Sequence, residues 1–247
     1  MKKTLQKKIF LSMLFILGIM LVRAQQCPRQ FVDLQPYNNY TNSAQIFTNN
    51  VIGIGTARMS LSHQLYGNAT LIYDYISDVQ YTGEPGIYLA HSDNNTRNFN
   101  NRIESTLSFS APVGDLKFTM NDIDAGDHIR LMVYDQDNNL ITISSSNYTF
   151  YPNTRVEFGN VSGSSGEFRE KNDADNDNPN NDRRATVDLN FTGLYVTKIV
   201  FQYYDYHSTG SYTITKFSGI DGNVCPPLAP CNAGTDQVQL SGSTLTN

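Results

Sequence analysis

Aspartates at short spacings are the residues of this chain best suited to chemistry. Asp122, Asp124 and Asp127 form the sharpest group. Asp122 and Asp124 lie two apart at a strand end and share a face if the strand continues. Asp127 folds back toward them through an Ala125-Gly126 turn. A hard cation such as Ca²⁺ takes several oxygen ligands from carboxylates and carbonyls, so these three are candidate ligands. Asp135 and Asp137, with Asn138, repeat the arrangement one strand later. Asp and Asn also stabilise turns on any β protein, and the two readings, structural Ca²⁺ and turn chemistry, both stay open. Asp173, Asp175, Asp177 and Asp182 form a second acidic cluster. It fails the EF-hand pattern, with Asn178 at the glycine position, Pro179 at the carbonyl position and Arg184 at the bidentate glutamate position, and reads better as a disordered acidic loop, a loop ordered by Ca²⁺ being the alternative.

A tyrosine cluster offers the other kind of chemistry, recognition. Alternation turns Tyr203 inward with Phe201 and leaves Tyr204 and Tyr206 exposed, with Asp205 between them. These three are the candidate ligand-binding residues: the rings would stack on sugars while polar neighbours hydrogen-bond hydroxyls. Tyr37, Tyr40, Tyr148 and Tyr151 could extend such a platform; the alternative is that all of them fill core and strand ends. Catalysis is thinly represented. His63, His91, His128 and His207 show no zinc spacing, and neither a nucleophile elbow nor a phosphate-cradling glycine loop occurs. Glu84 with Asp122 could serve a glycosidase, yet carboxylates are too common here to single that pair out. No residue is assigned a catalytic role and no enzyme is expected.

The elements that must position these residues are strands. Tyr, Phe, Thr, Asn, Ser and Gly abound and Trp is absent, which suits strands joined by Asn, Asp and Gly turns. Period-2 alternation predicts strands over 103–109, 116–120, 129–134, 185–191 and 195–203. Ser105 shares a face with Ile103, Leu107 and Phe109. Weaker patterns cover 69–76, 86–90, 140–144, 155–161 and 212–220. Many short strands with turn signals between them predict an all-β fold, an antiparallel β-sandwich of jelly-roll or immunoglobulin-like kind with long polar loops. The longest loops are expected over 92–101 and 162–184.

The chain's ends bound its compartment. Lys2, Lys3, Lys7 and Lys8 precede an apolar run from Ile9 to Val22, and Val22-Arg23-Ala24 supplies a cleavage site before Gln25. This is a secretory signal over residues 1–24; its apolar run of 14 residues falls short of the roughly 20 needed to span a bilayer, and no membrane span is expected after cleavage. Removing it leaves 13 basic against 23 acidic residues, a net −10. A surface so acidic repels phosphate backbones and argues against nucleic acid. Export permits disulfides. Of Cys27, Cys225 and Cys231, a Cys27–Cys225 bridge would tie together the two ends of a β-sandwich domain over 25–225; Cys225–Cys231 and free thiols are the alternatives. Pro226 to Pro230 reads as a stiff linker, and 231–247 as the opening of an immunoglobulin-like repeat cut short.

The segment Ser108-Phe-Ser-Ala-Pro-Val-Gly-Asp-Leu-Lys-Phe-Thr-Met-Asn-Asp-Ile-Asp124, followed by Asp127-His-Ile-Arg-Leu-Met-Val-Tyr-Asp-Gln-Asp-Asn-Asn-Leu140, resembles a β-sandwich module of large secreted bacterial surface proteins. Residues 197–204 and 212–220 resemble its closing strands. Asn232-Ala-Gly-Thr-Asp-Gln237 resembles the start of the PKD-like repeats that follow such modules in adhesin-like proteins. The pattern departs where Asn139 stands at a turn position often held by glycine. The resemblance implies a secreted or cell-surface, non-catalytic module that adheres to a glycan or a surface protein. A purely structural spacer and a secreted carbohydrate-active enzyme on a jelly-roll scaffold are the competing expectations.

Overall fold

Alternation of apolar and polar residues does build strands along most of the chain, and they pair antiparallel throughout. The computed structural model describes residues 27–78, 85–92, 99–123, 126–171, 183–205 and 213–224. One layer is ordered β11 (Val156–Gly159), β12 (Gly166–Glu170), β8 (Asp127–Asp135), β14 (Tyr195–Asp205), β7 (Ile103–Asn121) and β4 (Ala57–Leu65). Short β3 (Gly53–Ile54) and β9 (Leu140–Ile141) pair with β4 and β8. The second layer is ordered β10 (Tyr148–Phe150), β13 (Val187–Asn190), β7 again, β15 (Thr213–Asn223), β6 (Pro85–Ser92), β5 (Thr70–Asp78) and β2 (Tyr40–Thr41). β1 (Arg29–Phe31) lies along the end of β15.

The 19-residue β7 belongs to both layers. Its first half, 103–109, lies between β4 and β14; its second half, 117–120, lies between β13 and β15. Pro112 stands between the halves, and a residue without a backbone N–H interrupts a ladder. The buried set changes there from Ile103, Ser105, Leu107 and Phe109 to Leu116, Phe118 and Met120. Asp115, at φ 51°, holds the change: its carboxylate accepts Gly193 N–H at 2.7 Å and Asn223 Nδ2 at 2.8 Å. The expected strands over 103–109 and 116–120 are therefore one strand shared by two sheets.

The inner faces pack as a sandwich. Phe201 of the first layer lies edge-on to Phe118 at 5.8 Å and meets Phe217 of the second at 4.2 Å. At one open side Tyr148 of β10 closes on Phe158 and Phe168, at 4.9 and 5.4 Å, so Tyr148 packs the core instead of extending a surface platform. At the other side His63 of β4 reaches across to Asp74 of β5, Nε2 to Oδ2 2.9 Å, while its Nδ1 lies 2.9 Å from Ser105 Oγ. Asp74 also accepts the Ser43 and Ala44 N–H groups at the start of helix α1 (Ser43–Asn49), whose N-cap is Asn42.

One expectation needs correction, and one strand lies outside those expected. Residues 162–184 are not one structureless loop: 166–170 form β12, anchored by fully buried Phe168. A Cβ on Gly166 would enter the Phe158 ring, so the close approach that seats this strand needs glycine. β4 also went unread, although Ala57, Met59 and Leu61 point inward between Arg58, Ser60 and Ser62. No helix among the described residues is long and apolar enough to cross a membrane.

Candidate functional site

Strands that send Phe168, Ile129, Leu131, Phe201, Tyr203, Ile103 and Ser105 into the core must send the residues between them outward. Register then assembles a row across five strands on the outer face of the first layer. Glu167 of β12 is opposite Arg130 of β8, Arg130 opposite Gln202 of β14, Gln202 opposite Glu104 of β7, and Glu104 opposite Gln64 of β4. Beside it run His128 and Tyr204 on one flank and Met132, Val200, Thr106 and Ser62 on the other.

An aromatic and guanidinium stack stands on this row. The Arg102 guanidinium lies 3.9 Å over Tyr66 and 4.4 Å over Phe99, and Arg130 lies 3.9 Å over Phe99. Tyr204 meets Phe99 edge-on at 5.1 Å. Each cation has its own carboxylate. Arg102 donates from Nε and Nη2 to Glu104 Oε1, at 2.9 and 2.7 Å. Arg130 Nε donates to Glu167 Oε2 at 3.2 Å, and Gln202 Nε2 donates to Glu104 Oε1 at 2.8 Å. The turn that brings up Tyr66 depends on Gly67, at φ 59°, where a Cβ would run into the Asn101 side chain. Asn101 in turn accepts the Asn68 N–H at 2.9 Å.

Glu167 is the electrostatic centre. It is only 4% exposed. Tyr204 donates its hydroxyl to Oε2 at 2.6 Å and His128 Nδ1 lies 3.3 Å from Oε1. Burial pushes this carboxyl upward, but the His128 and Tyr204 hydrogen bonds and the charges of His128 and Arg130 outweigh it and hold it down to about 2. The Tyr204 phenol is pushed the other way, above its ordinary value, by burial and then by its bond to ionised Glu167.

The tyrosine expectation is half met in place and corrected in exposure. Tyr204 does take the outward side while Tyr203 faces the core, yet Tyr204 is 5% exposed, because Phe99, His128 and Arg130 cover it. Asp205 is placed by its backbone alone, opposite Asp127, and Tyr206 and His207 lie outside the described residues. Of the proposed cation ligands, Asp124 lies outside the described residues, Asp122 sits at φ 66° and Asp127 is buried. Asp135 closes the β8–β9 turn, accepting Asp137 and Asn139 N–H at 2.9 and 2.8 Å. Among the described residues no three His, Cys, Asp or Glu side chains are grouped to hold a metal ion. Residues 173–182 and Glu84 lie outside the described residues. Cys27 is disulfide-bonded; Cys225 and Cys231 lie outside the described residues.

The residues that carry the site, Tyr66, Phe99, Arg102, Glu104, Arg130, Glu167 and Gln202, were not singled out from the sequence. Alternation places Glu104 on an outward face, but only the strand order and register bring it into one row with Gln202 and Arg130. The Ser105–His63–Asp74 chain has the residue types of a hydrolase triad, but Ser105 is fully buried between the layers, which gives it a structural role. A separate depression of 310 Å³ beside Phe31, Leu34 and Ile220 holds no comparable polar array.

No family model and no curated protein sequence matches the chain. Among solved structures it is similar to the enzymatically active domain of bacteriophage CBA120 tailspike protein 4, at 13% identity and a TM-score of 0.29, over 67% of this chain and 19% of that one. It is similar to carbohydrate-binding modules of the β-sandwich superfamily, at 11% identity and 0.27, over 76% of this chain and 61% of that one. It is also similar to the mannan-recognising carbohydrate-binding module TmCBM27, at 11% identity and 0.29, over 68% of this chain and all of that one.

Proposed function

We propose that the chain is a non-catalytic, exported binding module that holds a glycan on the outer face of its first layer. The observation that carries this is the Tyr66–Arg102–Phe99–Arg130 stack, fixed from below by Glu104 and Glu167. Sugar rings offer C–H faces to aromatic rings and hydroxyls to guanidinium, carboxylate and amide groups. A site whose side chains are already ordered by one another loses little entropy on binding. Catalysis fits the same face poorly. Glu104 and Glu167 are three strand spacings apart, roughly 14 Å, whereas glycosidase carboxyls stand about 5–9.5 Å apart. Glu167, ionised and out of water, is also no proton donor at neutral pH.

The test is affinity electrophoresis of the full chain through gels containing soluble plant, fungal and algal polysaccharides, followed by calorimetry on whichever retards it. Retardation that Phe99→Ala weakens by at least about tenfold, near 1.4 kcal/mol, with the melting temperature kept, is the expected result. A chain that no polysaccharide retards, or that Phe99→Ala leaves unaffected, would return this face to packing and favour the spacer role.

A further inference from the structure

Resting on the glycan reading above, we infer that the site selects neutral, hydroxyl-rich chains laid across the strands and rejects chains bearing uronate or sulfate. Both guanidiniums are matched one to one by carboxylates. Arg102 spends Nε and Nη2 on Glu104 and Nη1 on the Phe99 carbonyl, at 3.3 Å. Arg130 spends Nε on Glu167 and reaches the Tyr204 hydroxyl with Nη2 at 3.5 Å. The cations that usually capture anionic sugars are thus already neutralised.

What the row leaves over is acceptors. Gln202 donates through Nε2 and Glu104 accepts every donor on Oε1. Gln202 Oε1 and Glu104 Oε2 therefore have no donor among the described residues. Gln202 is 6% exposed as a residue, and its Oε1 still reaches solvent, so a donor from outside can take the place of water there. Sugar hydroxyls supply the missing donors. A carboxylate or sulfate brings only acceptors to two acceptors, leaving polar groups unpaired on both sides, which is the discrimination. The next positions along and beside the row, Gln64, Thr106 and Ser62, are uncharged. The whole chain's net charge of −5 acts in the same direction on a polyanion. Because the row runs perpendicular to the strands, its groups repeat at about 4.8 Å. A bound chain would therefore be extended across β14, β7 and β4.

Calorimetry of the full chain against xylohexaose, mannohexaose and laminarihexaose, with hexagalacturonate as the acidic probe, tests this. At least one neutral hexasaccharide should bind at least about tenfold more tightly than hexagalacturonate. Glu104→Gln should narrow that ratio, because an amide can also donate. Gln64→Lys, at an exposed position that leaves folding untouched, should raise hexagalacturonate binding. Hexagalacturonate bound as tightly as the neutral sugars, in a manner that Phe99→Ala abolishes, overturns the selection while leaving the glycan site in place. If none of the four sugars nor any polysaccharide binds, the glycan reading falls and this inference with it.

Discussion

Glu167 carries a charge that is almost wholly out of water, so its neighbours must give it more than burial takes away. Tyr204, His128 and Arg130 do so. Removing the carboxylate strands their donors, and Glu167→Ala is expected to cost about 3–5 kcal/mol in urea unfolding. Tyr204→Phe removes one bond to a charged acceptor and should cost about 1.5–3 kcal/mol. The pH dependence has a definite sign. A carboxyl lowered from 4.5 to about 2 on folding contributes fully above the higher value. Its contribution is lost as pH falls through the lower one. Asp74 is lowered too, because bonds from His63, Ser43 and Ala44 outweigh its burial, and acts in the same direction. The unfolding free energy from urea titrations should therefore rise from about pH 2 to about pH 4.5, by at most about 3 kcal/mol for Glu167, and Glu167→Gln should flatten the slope. Alternation along β14 makes the outward side of Tyr204 legible. Its burial is not, because the cover comes from Phe99 and Arg130, residues distant in sequence that only the strand order brings together.

At the scale of elements, His63 joins β4 to β5 and so joins one sheet to the other. His63→Ala leaves buried Asp74 without that partner and is expected to cost about 1–3 kcal/mol, read as a lower urea midpoint with unchanged far-ultraviolet dichroism. Gly67→Ala should strain the positive-φ turn under Tyr66 by about 1 kcal/mol or more and weaken the site without touching its polar row. Strands rich in alternating apolar residues, such as 129–134 and 195–203, announce themselves. β12 does not, because Phe168 is its single large apolar residue and Glu167 and Arg169 read as loop. The seven-residue α1 has no long apolar stripe and is set by Asn42 and by Asp74, a contact made across the fold.

At the scale of the molecule, β7 makes the two layers one cooperative unit: neither can open without disturbing the strand they share. Unfolding in urea is expected to show a single transition, with tyrosine near-ultraviolet dichroism and far-ultraviolet dichroism coinciding. The chain has 15 tyrosines and no tryptophan, so the near-ultraviolet signal reports the aromatic core and the Phe99–Tyr204 face together. Two separated midpoints would mean that the sheets fold independently and that the bend at Pro112 is a hinge between them.

β7 also orders events in time. Its partner β4 precedes it in the chain, but β13, β14 and β15, which flank it in both layers, all follow residue 186. While a ribosome is still short of that point, a 19-residue strand lies with most of its hydrogen-bonding edge bare, as does the edge of β8 that β14 will fill. Such edges invite pairing with other chains. Contacts so distant in sequence also form slowly. Nascent polypeptide should therefore stay unfolded until its last strands emerge, a delay that, under the export proposed above, would keep it threadable by a translocation channel.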